Sequence, residues 1–154
     1  MSSDRLIQFL DTTLGDGSAI TSPVSNRREV ETFIAGGAIT AGDWVAFDST
    51  KTGQARAATV IECPGVATKG NPRAFGVSLE TVAADELVKV VTAGYVEGAS
   101  VAGATVAGTP LVGPIGTAGR AEVEAPGTTT GSVCGIALEA DTANFADVMV
   151  IKQF

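Results

Sequence analysis

The chain has 154 residues, of which 45% are apolar, and a formal charge of −7. This length fits one domain or two small fused ones, and the apolar content is ample for a core, which excludes wholesale disorder. The acidic excess argues against nucleic acid as a ligand, because binding phosphates requires lysine and arginine to displace counterions.

The start of the chain and its apolar runs bear on where the protein is made. MSSDRLIQFLD has no basic start followed by a long apolar run, so it does not resemble a secretory signal. No stretch reaches the roughly 18 consecutive apolar residues of a membrane span. We therefore expect a protein that is made in the cytoplasm and does not enter a membrane.

Residues 1–28 precede the repeated pattern described below and are predicted to form an arm. Within DRLIQFLDTTL, Leu6, Ile7, Leu10 and Leu14 recur at a spacing that predicts a short helix. The following GDGSAITSPVSNRR predicts an irregular extended segment. Ordering the arm costs about as much backbone entropy as its few large apolar side chains return on burial, so it is marginal by itself.

Two interpretations of the arm follow from this balance. It is either a mobile terminus or a docking segment that becomes fixed on a partner. In the second interpretation, apolar anchors are combined with arginines that pair with acidic groups. These residues are Arg5, Phe9, Leu10, Arg27 and Arg28.

The rest of the chain contains one pattern twice. AFGVSLE (74–80) has a near copy in VCGIALE (133–139), and AGDWVAFDSTKTGQARAA (41–58) parallels AGTPLVGPIGTAGRAEVE (107–124). ELVKVV (86–91) likewise parallels DVMVIK (147–152). We predict an internal repeat of about 41–97 and 107–154 within a β domain spanning 29–154.

Each copy predicts four short strands. Glycine, valine, threonine and alanine are frequent, and apolar residues alternate with polar ones, as in ELVKVVTAGYVEG (86–98). A small sheet with one apolar face cannot hide that face by itself, so the two copies are expected to close against each other as a barrel or a sandwich. The fold class is therefore all-β. The extra segment GVATKGNPR (65–73) of the first copy predicts a surface loop.

The recurring glycine and glutamate have a structural interpretation. Gly76 and Gly135 fit positions where the backbone bulges or a neighbouring strand approaches closely. Glu80 and Glu139 close their strands, and duplication alone accounts for both, although a paired-acid hydrolytic site is the competing interpretation.

Residues for catalysis, cofactors or metals are scarce. The chain has no histidine, no Gly-x-Ser-x-Gly, no phosphate-binding loop and no Cys-x-x-Cys. Cys63 and Cys134 are expected to be buried thiols, and a disulfide requires that they converge in space. We predict no catalytic residue, no cofactor and no metal ligand, and hence no enzyme.

The motif order of the first copy resembles the small phage head-decoration proteins, also called capsid cement proteins. The residues that carry the resemblance are AGD at 41–43, GVSLE at 76–80 and the strand from Val88 to Val96. The resemblance covers about residues 30–100 well and the second copy loosely.

This resemblance implies a barrel-like or β-tulip domain that forms a homotrimer. It implies a place on the outer surface of an icosahedral virion head, where such proteins clamp neighbouring major capsid subunits. On this basis the five arm residues named above are the expected capsid-binding residues. The acidic side chains of Asp85, Glu86, Asp141 and Asp147 are expected to face solvent.

Two other functions stay open at this point. One is a carbohydrate- or cell-surface-binding β module of a phage fibre or adhesin, although Trp44 and Tyr95 lie within strand patterns rather than in an exposed aromatic cluster. The other is a hydrolase that uses Glu80 and Glu139. A decoration protein needs only a rigid body and many weak contacts whose strength multiplies across a lattice.

Overall fold

Antiparallel strand pairing builds most of the structure, as the alternation of apolar residues predicts. The computed structural model describes residues 10–13, 19–25, 28–66, 70–124 and 132–153, and for the first two of these ranges the backbone alone. In chain order the elements are β1 (Leu10–Thr13), β2 (Ala19–Ser25), β3 (Arg28–Ala35), β4 (Trp44–Phe47), α1 (Gly53–Ala58), β5 (Thr59–Glu62), β6 (Gly76–Ser78), β7 (Leu87–Ser100), β8 (Pro110–Val112), β9 (Glu122–Val123), β10 (Val133–Ala137) and β11 (Phe145–Val150).

Nine strands of the described chain form one sheet in the order β3-β5-β4-β6-β7-β11-β10-β8-β9. The first half contributes β5-β4-β6-β7 and the second half contributes β11-β10-β8-β9, which is the same neighbour order read in reverse. The two halves meet where β7 pairs with β11. The prediction of an all-β fold from two similar short-stranded halves is therefore confirmed.

The residue registers show how closely the halves correspond. In the first half Val45 pairs with Gly76, and in the second half Leu111 pairs with Gly135. Glu80 and Glu139 also lie at equivalent points, since each follows the third strand of its half. The repeat thus reflects a shared pattern of hydrogen bonding between strands.

One part of the sequence alignment was wrong. ELVKVV (86–91) was aligned with DVMVIK (147–152), which places Val90 opposite Ile151. In the structure Val90 pairs with Ser78 and its counterpart is Val148, which pairs with Ala137. The alignment displaced the last strand by three residues, although the hairpin of the second half is shorter by one residue only. A run of alternating valines does not fix a register by itself.

The first half closes into a barrel, and β3 is the strand that closes it. β3 pairs with β5 through a short parallel contact and with β7 through a long antiparallel one, so that β3, β5, β4, β6 and β7 form a ring. The barrel interior contains eight buried apolar residues: Phe33, Ala35, Ile39, Val45, Val60, Phe75, Val88 and Val90.

A second core joins the two halves. The outer face of the barrel contributes Trp44, Val77 and Val91, which are fully buried under the second half. The second half contributes its inner face, defined by Leu111, Ala137 and Val148. The alternation in ELVKVVTAGYVEG (86–98) thus leaves Val91 on the outer face of the barrel, where the second half covers it.

The segment GVATKGNPR also packs more closely than a surface loop would. Gly70 and Asn71 are buried, and a β-carbon on Gly70 would lie 2.6 Å from Val112 of the second half. The Val66 backbone N–H donates to the Pro114 carbonyl at 3.3 Å. The insertion therefore helps to hold the second half against the barrel, apart from residues 67–69, which lie outside the described part.

The arm differs from its predicted conformation. Residues 10–13 are β1 rather than part of a helix, and they pair antiparallel with β2 in a separate two-stranded sheet. Asp11 and the threonines at 12 and 13 explain why strand pairing prevails here, since aspartate and β-branched threonine are weak helix formers. The other residues that predicted the helix, Leu6, Ile7 and Leu14, lie outside the described residues.

Candidate interaction surfaces

The strand registers place the start of β3, which the arm precedes in the chain, and the end of β11 at one end of the barrel. Arg28, the first residue of β3, lies opposite Gly94 of β7, and Val150, the last residue of β11, also lies opposite Gly94. We call this end of the barrel the arm end. Asp85 and Glu86 lie at the opposite end, next to the Ile34–Leu87 pair, and both are exposed.

The structure locates two of the five predicted binding residues. Leu10 lies in β1, and Arg28 is exposed at the start of β3. Arg5, Phe9 and Arg27 lie outside the described residues, so a joint surface of all five stays a prediction.

A groove of about 260 Å³ opens at the arm end. Phe47, Pro72, Arg73, Phe75 and Gln153 line it. Phe47 lies two residues beyond Val45 and Phe75 one residue before Gly76, both on the side of the Val45–Gly76 pair towards Arg28 and away from Asp85. Gln153 reaches the groove because its side-chain amide donates to the Val133 carbonyl at 2.8 Å.

Aromatic stacking gives the groove an apolar floor. The rings of Phe47 and Phe75 are stacked with their centroids 4.3 Å apart. The Phe33 ring contacts both edge-on, with its centroid 5.8 Å from that of Phe47 and 5.6 Å from that of Phe75. Arg73 adds a guanidinium and Gln153 an amide, and these two side chains cannot exchange a proton near neutral pH. The arrangement suits an apolar or flat ring group rather than a reaction.

Sequence reasoning missed this groove. Phe33 lies in β3, Phe47 ends β4 and Phe75 directly precedes β6, while Pro72 and Arg73 belong to a segment predicted to be a surface loop. Only the pairing of β4 with β6 and the bond from Gln153 to β10 bring them together, and neither can be read from spacing along the chain.

Each of the repeated glutamates bonds to the backbone of its own half. Glu80 Oε1 accepts the Lys89 backbone N–H at 2.9 Å, and Glu139 Oε1 accepts the Asp147 backbone N–H at 3.2 Å. Lys89 and Asp147 occupy equivalent positions of their halves, so each glutamate caps the hairpin of its own half. Each carboxylate is thus used within its own half.

The recurring glycines permit close strand approach, as one interpretation of the sequence predicted. A β-carbon on Gly76 would lie 2.7 Å from the Val91 carbonyl oxygen, and one on Gly135 would lie 3.1 Å from that of Met149. At Gly135 the added atom would also lie 2.9 Å from the Trp44 ring. Gly135 is therefore the point where the tryptophan of the first half packs onto the second half.

Acidic side chains gather where the two halves meet. A β-carbon on Gly119 would lie 2.7 Å from Glu62 Oε1 and 3.1 Å from Asp43 Oδ1. Partial burial raises the pKa of Asp43, and burial together with the Asp43 charge raises the pKa of Glu62. Burial also raises the pKa of Glu122, although the positive charge of Arg120 acts to lower it.

The acidic residues predicted to face solvent differ among themselves. Asp85 and Glu86 are exposed, whereas Asp141 and Asp147 are half-buried. Asp147 accepts hydrogen bonds from the Tyr95 hydroxyl at 2.5 Å and the Gly98 backbone N–H at 3.1 Å. The bond to Asp147, together with burial, raises the pKa of Tyr95 to about 12.

The two cysteines are free and buried in the core between the halves. Burial raises the pKa of the Cys63 thiol to about 12. Burial also raises the pKa of the Cys134 thiol, and the neighbouring Cys63 raises it further. Thiols in such an apolar setting are poor nucleophiles.

The described residues offer no converging metal ligands and no membrane-spanning helix. In residues 28–66, 70–124 and 132–153, no three cysteine, aspartate or glutamate side chains converge as a metal site would require. The same part of the chain contains no helix with the length and apolarity needed to cross a membrane.

Comparisons with known proteins bear on the fold. No family model matches the chain, and no curated protein matches it. The chain is similar in structure to the base of a head fibre, the gp8.5 N base of bacteriophage phi29, with a TM-score of 0.51 and 14% sequence identity. The similarity covers 81% of this chain and 95% of that one. At this identity the match shows a shared fold.

Proposed function

We propose that the chain is a structural protein of a phage head, which sits on the outer capsid surface and clamps neighbouring major capsid subunits. The observation that carries the proposal is the fold shared with the base of a phage head fibre over nearly the whole length of that base. The resemblance of AGD (41–43) and GVSLE (76–80) to capsid decoration proteins supports the same class of protein independently.

The arrangement of the barrel fits such attachment. The arm leaves at the end that also presents the groove with Arg73, while Asp85 and Glu86 lie at the other end. Exposed Arg28 and Arg73 at this end can pair with acidic groups of a partner, beside Glu29, which already pairs with Lys152 at 2.7 Å. We therefore assign the capsid contact to the arm and the arm end, and we infer a homotrimer on the capsid.

Binding to expanded shells of the major capsid protein tests this assignment. Full-length protein should co-sediment with the shells and saturate. A double substitution, Phe9→Ala with Leu10→Ala, should weaken binding about 30-fold or more if these residues anchor the arm. Arg27→Ala with Arg28→Ala should weaken it more at low salt than at high salt.

The matched control is Asp85→Asn at the opposite end, where the conformation with positive φ (66°) tolerates asparagine. It should bind shells like the unchanged protein. Equal binding by the arm variants and the control would contradict the role of the arm. Failure of the full-length protein to bind would contradict capsid attachment itself.

A second candidate function is carbohydrate binding, and the groove is the observation that favours it. Stacked Phe47 and Phe75 with Arg73 and Gln153 at the rim can hold a sugar ring. Against it, Trp44 is fully buried and the Phe75 side chain is almost so. A glycan array probed with the purified protein and with its Arg73→Ala variant tests this function. Glycan binding by the unchanged protein that the variant loses would support it, and no binding by the unchanged protein would contradict it.

A further inference from the structure

The residues after β11 follow a fixed path to the groove. The Ile151 backbone N–H donates to the Cys134 carbonyl at 2.9 Å, so the chain stays beside β10. The Gln153 side-chain amide donates to the Val133 carbonyl at 2.8 Å, one residue further along β10, and Gln153 lines the groove. These bonds hold the chain against the second half as far as Gln153.

An ion pair joins the same segment to the barrel. Lys152 Nζ lies 2.7 Å from Glu29 Oε2 of β3, and both side chains are about half exposed. An exposed pair of this kind contributes little energy, but it shows that the segment passes close to the start of β3. The segment therefore arrives at the arm end, where the groove opens.

The next residue after this segment is Phe154, which lies outside the described residues. Consecutive Cα atoms are about 3.8 Å apart, so the backbone of Phe154 starts beside Gln153 at the rim of the groove. Covalent geometry therefore brings the Phe154 ring within reach of the groove.

The lining of the groove is complementary to a phenyl ring. Phe47 and Phe75 are stacked with their centroids 4.3 Å apart, and a further ring can extend such a stack or contact its edge. The Arg73 guanidinium at the rim can lie on the face of a ring as a cation–π partner. The groove measures about 260 Å³, and an apolar cavity of about 150 Å³ is enough to bind benzene, so the groove has room for one phenyl ring.

A free sugar ring suits the same groove less well. Arg73 and Gln153 are the polar side chains of the lining, and the Gln153 amide nitrogen already donates to Val133. Few hydrogen-bonding groups are thus left for the hydroxyls of a sugar, whereas a phenyl ring needs none. A side chain tethered at the rim also competes at an effective concentration of roughly millimolar, which a free ligand has to overcome.

We propose that the ring of Phe154 occupies the groove, on Phe47 and Phe75 and beside Arg73. The contact holds the segment after β11, and with it the second half, against the barrel at the arm end. It also closes the groove to other ring ligands, which have to displace Phe154. The inference concerns a contact within one copy of the chain, so it can fail or succeed independently of capsid binding.

Nuclear Overhauser effects in the full chain with labelled phenylalanine test the contact directly. Cross-peaks should join the ring protons of Phe154 to those of Phe47 and Phe75. Phe145, which is 45% exposed at the start of β11, is the control and should show no cross-peak to either ring. Absence of cross-peaks from Phe154 to both rings would overturn the proposal.

Benzene is a probe of whether the groove is filled. Benzene should shift the Phe47 and Phe75 ring resonances of Phe154→Ala, and it should bind the unchanged protein about 10-fold more weakly if the groove is open a tenth of the time. Phe145→Ala is the matched control and should respond like the unchanged protein. Equal binding of benzene by the unchanged protein and Phe154→Ala, including no binding by either, would contradict the proposal.

Urea unfolding shows whether Phe154 and Phe47 stabilise the fold through one contact. Phe154→Ala should lower the urea midpoint, and it should lower it less when Phe47→Leu is already present, because the effects of residues in contact are not additive. Emission from Trp44 checks that each variant is folded. An unchanged midpoint in Phe154→Ala, or equal shifts with and without Phe47→Leu, would show that the ring lies elsewhere.

Discussion

Gly119 shows how a single residue permits an unfavourable arrangement of charge. Its φ of +70° and lack of a side chain let Glu62 and Asp43 lie against it. Gly119 also donates to the Cys63 carbonyl at 2.9 Å, and its own carbonyl accepts the Trp44 N–H at 2.9 Å, so it links the halves through backbone hydrogen bonds. The half-buried carboxylates beside it destabilise the joint when both are charged.

This arrangement predicts a pH-dependent gain from removing one charge. The pKa of Glu62 is raised in the folded chain, so protonation stabilises the fold, and that stability is lost as the pH rises through the raised pKa. Glu62→Gln should therefore raise the free energy of unfolding at pH 7, by a few tenths of a kcal/mol up to about 1 kcal/mol because the group is only partly buried. Urea unfolding measures the change.

The difference between Glu62→Gln and the unchanged protein should shrink as the pH falls below the ordinary carboxyl range, where glutamate is neutral in both states. Glu31→Gln, at an exposed position of β3, is the control and should change stability little at any pH. A Glu62→Gln variant that is less stable at pH 7 would show that the carboxylate has a stabilising partner.

The hairpins β6–β7 and β10–β11 explain why the motif of a glycine followed by a glutamate occurs twice in the sequence. In each hairpin the glycine lets the neighbouring strand approach, and the glutamate accepts a backbone N–H from that strand. A backbone bond also joins each pair of strands just before the glutamate, from Leu79 to Lys89 at 2.9 Å and from Leu138 to Asp147 at 2.8 Å. The motif thus stabilises the start of each hairpin.

Removing either glutamate should cost stability by a similar amount. Glu80→Ala and Glu139→Ala should each lower the free energy of unfolding by about 1 kcal/mol, since a hydrogen bond to a charged acceptor is lost. Glutamine at these positions keeps an acceptor and should cost less. Glu97→Ala, on an exposed position of β7, serves as the control. Unchanged stability in both alanine variants would contradict the capping role.

At the level of elements, the sequence was informative about strands and poor about register. Gly76 with Glu80 and Gly135 with Glu139 located the third strand of each half, because their spacing reflects a hydrogen-bonding device. Val88 to Val91 did not locate the fourth strand, because alternating valines fit several registers. The helix predicted through Leu10 was wrong, since the hairpin of β1 and β2 outweighs helical spacing.

At the level of the whole molecule, the second half packs on the first. Because of the repeat, each half has an inner face and an outer face. The inner face of the second half covers the outer face of the barrel, while β3 closes the barrel. This asymmetry could not be predicted, because β3 precedes the repeat and its pairing with β7 joins residues far apart in sequence. The groove depends on the same long-range pairing and was missed for the same reason.

Trp44 and Gly135 provide a direct test of this stacking. Gly135→Ala should destabilise the chain by about 1–3 kcal/mol, because the added carbon would lie 2.9 Å from the ring and 3.1 Å from the Met149 carbonyl. Trp44 is the chain's one tryptophan, so its emission reports on the joint. Gly37→Ala is the matched control, since nothing lies within 4 Å of the added atom. Equal stability of the two variants would contradict the packing of Trp44 on Gly135.

The proposal that this doubled β body attaches to the outside of a phage head is tested most directly by electron cryomicroscopy of heads with and without saturating full-length protein. The account predicts added density on the outer surface, with the Arg28 end of each barrel towards the shell and the Asp85 end outward. Heads that gain no density, gain it on the inside, or bear barrels with the Asp85 end against the shell would contradict it.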